Sequence, residues 1–445
     1  MNMDELKKAL TTRGLTLIAI GACIGSGIFL TPADSAKNLP HHGFILLTWA
    51  LGGLVSYFGA MTFSELGSIY PKEGGVYVYL KNAYGELTGF LYGWIILLIV
   101  NTGALAALGM ALAGYISFFA PVSEGMKAGI AIAVIWGLTV VNIFGVNISQ
   151  GFAGIFTGLK LLAIFVIIVI GLHFLPGAYP GFSLNPLDNV PDYPATGMLL
   201  TFVGVFWSMG GWHHATYVAG EAIDPARTVP RAMLYGTMAV TIVYLLVILA
   251  CMSVLSLPQM AASDKLAGDA MGAVFHWGGK MVSVMITVSI FGTIGIYTMT
   301  APRIYYAMAR DGIFFGFLSH ISPRYRTPYK AMLFQAGWAT VLILLWGSFS
   351  KLITFVTFMD IVFMALATAT IFIYRKRKIT HSGYRLKLYP VIPLIYLAVT
   401  ISFVINTLFS LQTESMAGVL ILTAGVPVYY YFRQRRNKAG DEGST

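Results

Sequence analysis

The sequence predicts an all-α polytopic membrane protein of twelve helices, two of them broken in mid-span. Three observations predict it. Of 445 residues, 57% are hydrophobic and 10% charged, with mean hydropathy +0.76; soluble domains carry about 25% charged residues. Apolar runs of about 20 residues, the length that crosses a bilayer, recur along the chain. Glycine and serine interrupt two of these runs, at Gly21-Ala22-Cys23-Ile24-Gly25-Ser26-Gly27 and at Phe206-Trp207-Ser208-Met209-Gly210-Gly211.

The spans are expected near 14–33, 43–69, 86–118, 126–146, 150–175, 196–220, 231–257, 279–311, 330–348, 351–374, 387–411 and 416–432. No long soluble insertion separates them, so residues 1–445 read as one integral domain. With the N-terminus inside, 22 of the 28 Lys and Arg residues fall in inner segments, Lys37, Lys127, Lys265, Lys280 and Lys351 fall outside, and Lys160 lies within a span. That bias puts both termini in the cytoplasm. The net charge of +10 is thereby spread over short loops as a topology signal, and no nucleic-acid partner is expected. Lys7, Lys8 and Arg13 precede the first run as in a signal peptide, but no A-x-A cleavage site follows, so the run reads as the first span. Cys23 and Cys251 both lie in apolar runs and offer no disulfide framework. Arg375-Lys376-Arg377-Lys378 reads as a stop-transfer anchor, with a lipid-binding cluster as the alternative.

In span one, each glycine costs about 1 kcal/mol relative to alanine in a helix. Broken backbone survives at membrane depth only where it lines a cavity or is covered by protein. The freed N–H groups, at the positive end of the second half-helix, suit a carboxylate near the bilayer midplane. Packing through small residues is the competing reading. At the edge of span two, Glu65 either pairs with a nearby base or caps a solvated helix end. Pro71 and Gly74-Gly75 then make a turn, with the tyrosines from Tyr70 to Tyr79 on one face of an interfacial segment. Lys160 lies about ten residues, roughly 15 Å, from the nearest end of span five. An ionisable group at that depth is a functional-site candidate.

The second break opens span six, five spans after the first. Spans 1–5 (about 14–175) and 6–10 (about 196–374) are therefore expected to form two inverted halves, with 387–432 outside the repeat. Paired interruptions in corresponding positions point to a transport site, and Trp207 beside such a cavity suits capping a ligand. His213-His214 with Glu221 lacks the i, i+4 spacing of a helical zinc site, so no metal or cofactor is expected. The spans hold no nucleophile–base pair, which argues against an enzyme. A lysine in the path suits an occludable site better than an open channel.

Gly21-Ala22-Cys23-Ile24-Gly25-Ser26-Gly27-Ile28-Phe29-Leu30-Thr31-Pro32 resembles the first-helix signature of the amino acid–polyamine–organocation superfamily. Glu65-Leu66-Gly67, Gly74-Gly75, Phe156-Thr157-Gly158-Leu159-Lys160, Gly210-Gly211-Trp212, Val229-Pro230-Arg231-Ala232 and Arg324-Tyr325-Arg326-Thr327-Pro328 resemble its L-amino-acid transporter branch, which includes the light subunits of heteromeric transporters and bacterial relatives. The resemblance implies the leucine-transporter type of five-plus-five inverted repeat, with broken helices 1 and 6, and sodium-independent exchange of neutral L-amino acids by alternating access. Small substrates (alanine, serine, threonine, cysteine) are expected because Trp207 and Met209 crowd the second break. A proton-coupled symporter with Lys160 as proton carrier is the alternative.

Carried over, the resemblance implies a carboxylate site at Ser26 and the N–H groups of Gly25, Ser26 and Gly27. The ammonium would meet carbonyls at Cys23 and Ile24 and, in span six, Trp207, Ser208 and Gly210, with Trp207 occluding. Lys160 matches a lysine near the sodium position of sodium-coupled relatives and would hold span one against span eight near Thr293. Tyr244 matches a span-seven tyrosine facing the vestibule. His213 stands where relatives vary. Animal light subunits bind a heavy subunit through a cysteine between spans three and four; Ala120-Pro121-Val122-Ser123-Glu124 has none, so no disulfide-linked partner is expected and the chain resembles bacterial members.

Overall fold

The computed structural model describes residues 6–442 except 118, 120, 121, 180, 181, 186, 187, 189, 347, 348 and 411; the expectation about the loop at Ala120 and Pro121 therefore lies outside the described residues. Twelve helical spans follow one another. Span one is Thr12–Cys23 and Gly27–Asn38, bent by 41° at the break. Spans two to five are His42–Ile69, Glu86–Ile116, Glu124–Ile143 and Val146–His173. Span six is Pro194–Met209 followed, after its break, by the single turn His214–Tyr217. Span seven is Pro225–Val254, and span eight is Gly278–Thr300 continued by Pro302–Arg310. Spans nine to twelve are Tyr329–Trp346, Phe349–Lys376, Val391–Ser410 and Gln412–Glu442. Eight helices are long and apolar enough to cross a membrane, or nine with the bent pair, among the described residues. Pro194–Met209 is shorter because the glycines stop it.

Local chemistry sets the ends. The side chains of Thr11, His41 and Ser123 cap the amides of Gly14, Phe44 and Met126, which have no acceptor inside their own helices. Pro194, Pro225 and Pro302 stand in first turns, where a missing N–H costs nothing. Within span three, Ile96–Val100 forms a π-helical turn. Such turns bulge the backbone and recur at functional sites.

Leu10 and Arg436 lie at the same end of the bundle. Arg436 of span twelve pairs with Glu86 at the start of span three (2.9 Å) and bonds the Asp311 carbonyl after span eight (3.1 Å), while Leu10 pairs with the backbone at Ala222 and Gly74 N–H donates to Tyr217 O at 3.0 Å. Glu65 is paired and not solvated: its carboxylate takes Arg375 at 2.7 Å and the Leu386 amide at 2.7 Å. Arg375 thus anchors inward, while Arg377 caps the carbonyls of Asn82 and Ala83. The tyrosines after span two do not share an interfacial face. Tyr77 and Tyr79 are fully buried in the helix Val76–Tyr84, with the Tyr77 hydroxyl on Asp311, and Tyr70 meets the ring of Tyr374. The Gly74-Gly75 turn folds this segment back into the bundle.

Arg303, which the sequence places among the loop bases, is fully buried. Its Nε donates to Glu221 Oε1 at 2.6 Å, and neither side chain has any exposure. Stranding one member of such a pair costs about 3–5 kcal/mol. Glu221→Ala is expected to lower the melting temperature of the purified protein sharply, and Glu221→Leu combined with Arg303→Met to recover most of the loss.

Candidate functional site

The first break frees backbone groups that an unbroken helix would consume. Gly21 O and Ile24 O lose their helical partners, because Gly25 N–H turns back onto Cys23 O (2.9 Å). Lys160, without exposure, fills the gap: its Nζ donates to Gly21 O (3.0 Å), Ile24 O (2.6 Å) and Thr293 Oγ1 (2.8 Å). The three donors of an ammonium are thereby matched by three acceptors. The Thr293 hydroxyl lies 3.0 Å from Gly21 O and 2.9 Å from Ile24 O, so spans one, five and eight meet at this point.

The second break is joined to the first. The Tyr244 hydroxyl, from span seven, lies 2.9 Å from Cys23 O and 3.0 Å from Ser208 O. Gly211 has φ +108° and lies so close to span one that a Cβ there would stand 2.7 Å from Ala22 C and 2.9 Å from Cys23 N. Only glycine meets both conditions. Gly27 is confined as well, since a Cβ there would stand 2.4 Å from Ser208 Oγ and 2.9 Å from Ser208 Cα.

These contacts bear on five expectations. Gly25 N–H is already bonded, and the amides without a backbone acceptor among the described residues are those of Ser26, Gly27 and Ile28, beside a buried Ser26 hydroxyl that has no partner. Ile24 O takes Lys160 Nζ and Cys23 O takes Gly25 N–H, while the Thr293 proton is shared between Gly21 O and Ile24 O and the Tyr244 proton between Cys23 O and Ser208 O, so both carbonyls already have donors. Ser208 is spent on packing: its hydroxyl bonds Thr31 at 2.9 Å and its carbonyl bonds Tyr244. Gly27 serves helix contact, so a bulky residue there disrupts packing whether or not it meets a ligand. Met209 is buried with its carbonyl toward Cys23 Sγ (3.7 Å) and does not line the cavity described next.

Between spans three, six, eight and ten lies a cavity of about 30 Å³. The π-helical turn brings Ile96 and Val100 to it, the second break brings Trp207, Gly210, Gly211 and His213, span eight brings Tyr297, and span ten brings Val356, Thr357 and Asp360. Trp207 and Gly210, both expected at the substrate site, line this cavity. Asp360 was missed; it is an acidic residue in mid-span, the same signal that singled out Lys160. Tyr217 closes one side of the cavity, with its hydroxyl 2.7 Å from that of Tyr92. Beyond it, at the end holding Leu10 and Arg436, a larger cleft of about 580 Å³ is lined by Lys8, Lys72, Glu73, Tyr77, Gly220 and Arg310 among others. No group of His, Cys, Asp or Glu among the described residues is arranged to hold a metal.

A family model described as Amino acid permease matches residues 10–430. The chain belongs to this family. It is a membrane transporter and not an enzyme. It is 31% identical over 439 residues to the Serine/threonine exchanger SteT of Bacillus subtilis (strain 168), covering 97% of this chain and 98% of that one. It is also 31% identical over 439 residues to the Large neutral amino acids transporter small subunit 2 of Oryctolagus cuniculus (96% and 80% covered), and 30% identical over 442 residues to the Asc-type amino acid transporter 1 of Mus musculus (96% and 81% covered).

Because Lys160 ties the broken span to span eight and does not touch the cavity wall, its loss acts on conformational exchange. Lys160→Ala is expected to slow transport by at least about tenfold, which needs only 1.4 kcal/mol of difference between two states, with a smaller change in apparent affinity. Lys160→Arg is expected to rescue poorly, since a planar fork does not match three convergent acceptors. Rates and affinities measured from both faces check this.

Proposed function

We propose that this permease exchanges small neutral L-amino acids without sodium, by alternating access around the two broken spans. The observation that carries the proposal is the Lys160 ammonium held by Gly21 O, Ile24 O and Thr293 Oγ1. It supplies a cation among oxygen acceptors of the kind a sodium ion would use, so no external cation is required there. The three satisfied donors also favour a fixed charge over a proton carrier, because a neutral amine has only two N–H groups to offer.

The substrate carboxylate is assigned to Ser26 Oγ and the amides of Ser26, Gly27 and Ile28, at the positive end of a twelve-residue half-helix. The ammonium is assigned to the second break at Trp207 and Gly210, with Trp207 as the occluding ring. Small substrates are favoured by the relative named as a serine/threonine exchanger. The end of the bundle that carries Leu10, Arg436 and most of the basic residues is assigned to the cytoplasm of a plasma membrane. No disulfide-linked partner is part of the proposal, since Cys23 and Cys251 are both buried.

The test is uptake of labelled serine into proteoliposomes. Internal serine or alanine is expected to raise uptake at least about tenfold over empty vesicles, with no change when choline replaces sodium. Uptake into empty vesicles driven by an imposed pH gradient would select proton symport instead. Ser26→Ala is expected to weaken apparent affinity by about 1–3 kcal/mol, or roughly 5- to 150-fold, for one lost hydrogen bond to a charged group.

A further inference from the structure

Span nine carries a groove that faces outward from the bundle. Lys330, Leu333, Phe334, Gly337 and Trp338 recur at helical spacing along it, and Phe317 of the preceding turn closes one side, its ring 5.9 Å from that of Phe334. The groove encloses about 550 Å³, and Gly337 leaves a notch in it, since an added Cβ there would meet no atom within 4 Å. Its inner wall is held in place, because the Trp338 indole N–H donates to Leu98 O in the π-helical turn (3.1 Å). Phe315 meets both Phe334 (5.9 Å) and Phe432 of span twelve (5.0 Å), so the groove begins at the end of the bundle that holds Arg436.

The occupant's chemistry follows from length and charge. Lys330 stands in the first turn of span nine, and Trp338 lies about 12 Å further along the helix. One leaflet's hydrocarbon is about 15 Å deep, half of the bilayer core. The groove therefore runs from the interface to near the midplane, the course of a single acyl chain. At its interfacial end the charge is of one sign. No Asp or Glu occurs between Asp311 and Asp360, a stretch that brings Arg324, Arg326 and Lys330 to the start of span nine. Lys330 and Arg324 lie beside tyrosine rings, at 6.0 and 5.2 Å, and neither has an ion pair among the described residues. Basic residues so placed attract anionic headgroups. A second copy of the chain fits poorly, since a two-fold contact on this face would bring like charges together.

We propose that this groove binds an anionic phospholipid, with one acyl chain along Phe317, Phe334, Gly337 and Trp338 and the phosphate at Lys330. The site is separate from the central cavity and does not rest on the exchange reading. It is nonetheless joined to that cavity: a chain in the groove packs on Trp338, which is bonded to the turn whose Ile96 and Val100 line the cavity wall.

The test is a titration of the delipidated full chain in detergent with phosphatidylglycerol whose acyl chains are brominated, since bromine quenches nearby indole fluorescence. The Trp338 signal is the difference between each protein and the same protein carrying Trp338→Phe. Half-saturation is expected at a concentration at least about fivefold lower for phosphatidylglycerol than for brominated phosphatidylcholine, the effect of one base at the interface. Lys330→Gln is expected to cut that ratio to about twofold or less. Gly337→Leu is expected to weaken both lipids by at least about tenfold, through the loss of about two methylenes of chain contact. Its melting temperature is expected to stay unchanged, because the new side chain enters open space. Equal affinity for the two lipids in the wild type overturns the proposal, as does an unchanged ratio in Lys330→Gln. Unchanged quenching in Gly337→Leu also overturns it, since the chain would then lie elsewhere. Competition by glycerol phosphate as strong as that by the lipid would make the ligand a free phosphate, and a dimer in detergent that Gly337→Leu splits would make it a second copy; either result overturns the proposal. None of these readouts depends on amino acid exchange, so failure of that reading leaves this test intact.

Discussion

A lysine ammonium stripped of water stays folded into a bilayer only if oxygen atoms surround it, and the break in span one supplies them. In a continuous helix, Gly21 O would take the amide of Gly25 and Ile24 O that of Ile28. Gly25 turns back onto Cys23, both carbonyls are released, and Lys160 occupies them together with Thr293. Break and lysine each carry a penalty alone, one as unpaired backbone and the other as a buried charge. Together they cancel much of it. The same contact binds spans one, five and eight, which makes the broken span a positioned element and not a loose one.

The rest of the site hangs from that arrangement. Tyr244 spans the carbonyls of Cys23 and Ser208, and glycines at 27 and 211 let the two breaks approach to backbone contact. Closed in this way, the centre leaves about 30 Å³, too little for a whole amino acid. Loading therefore requires the breaks to part. The contacts that join these elements are the hydroxyl of Tyr244, the Lys160 cradle, the Glu221–Arg303 pair and the Gly74–Tyr217 bond.

Much of this was legible beforehand, and for a physical reason. Glycine and serine inside an apolar run, or a lysine inside one, are costly in lipid, so each such residue marks a place where structure departs from a plain helix. The breaks at 24–26 and 210–213, the burial of Lys160 and its approach to Thr293, and the pairing of Glu65 with a base all follow that logic or the family resemblance. Asp360 carries the same mark, but span ten holds no broken backbone to draw attention to it.

The sequence by itself determined the twelve-helix membrane fold, the two interruptions and the charge buried beside the first. These depend on composition along one helix at a time, where the bilayer enforces hydrogen bonding within each segment. Only the tertiary structure decided which freed groups remain available. Ser208 looks like a ligand contact in sequence, yet its hydroxyl meets Thr31 and its carbonyl meets Tyr244; Ile24 O looks like an ammonium site, yet Lys160 takes it. Asn101, Thr357 and Asp360, from two spans far apart in sequence, meet at one cavity with their polar atoms unspent. A hydrogen-bonding group is a site only if no neighbour has already satisfied it, and the neighbours belong to other helices.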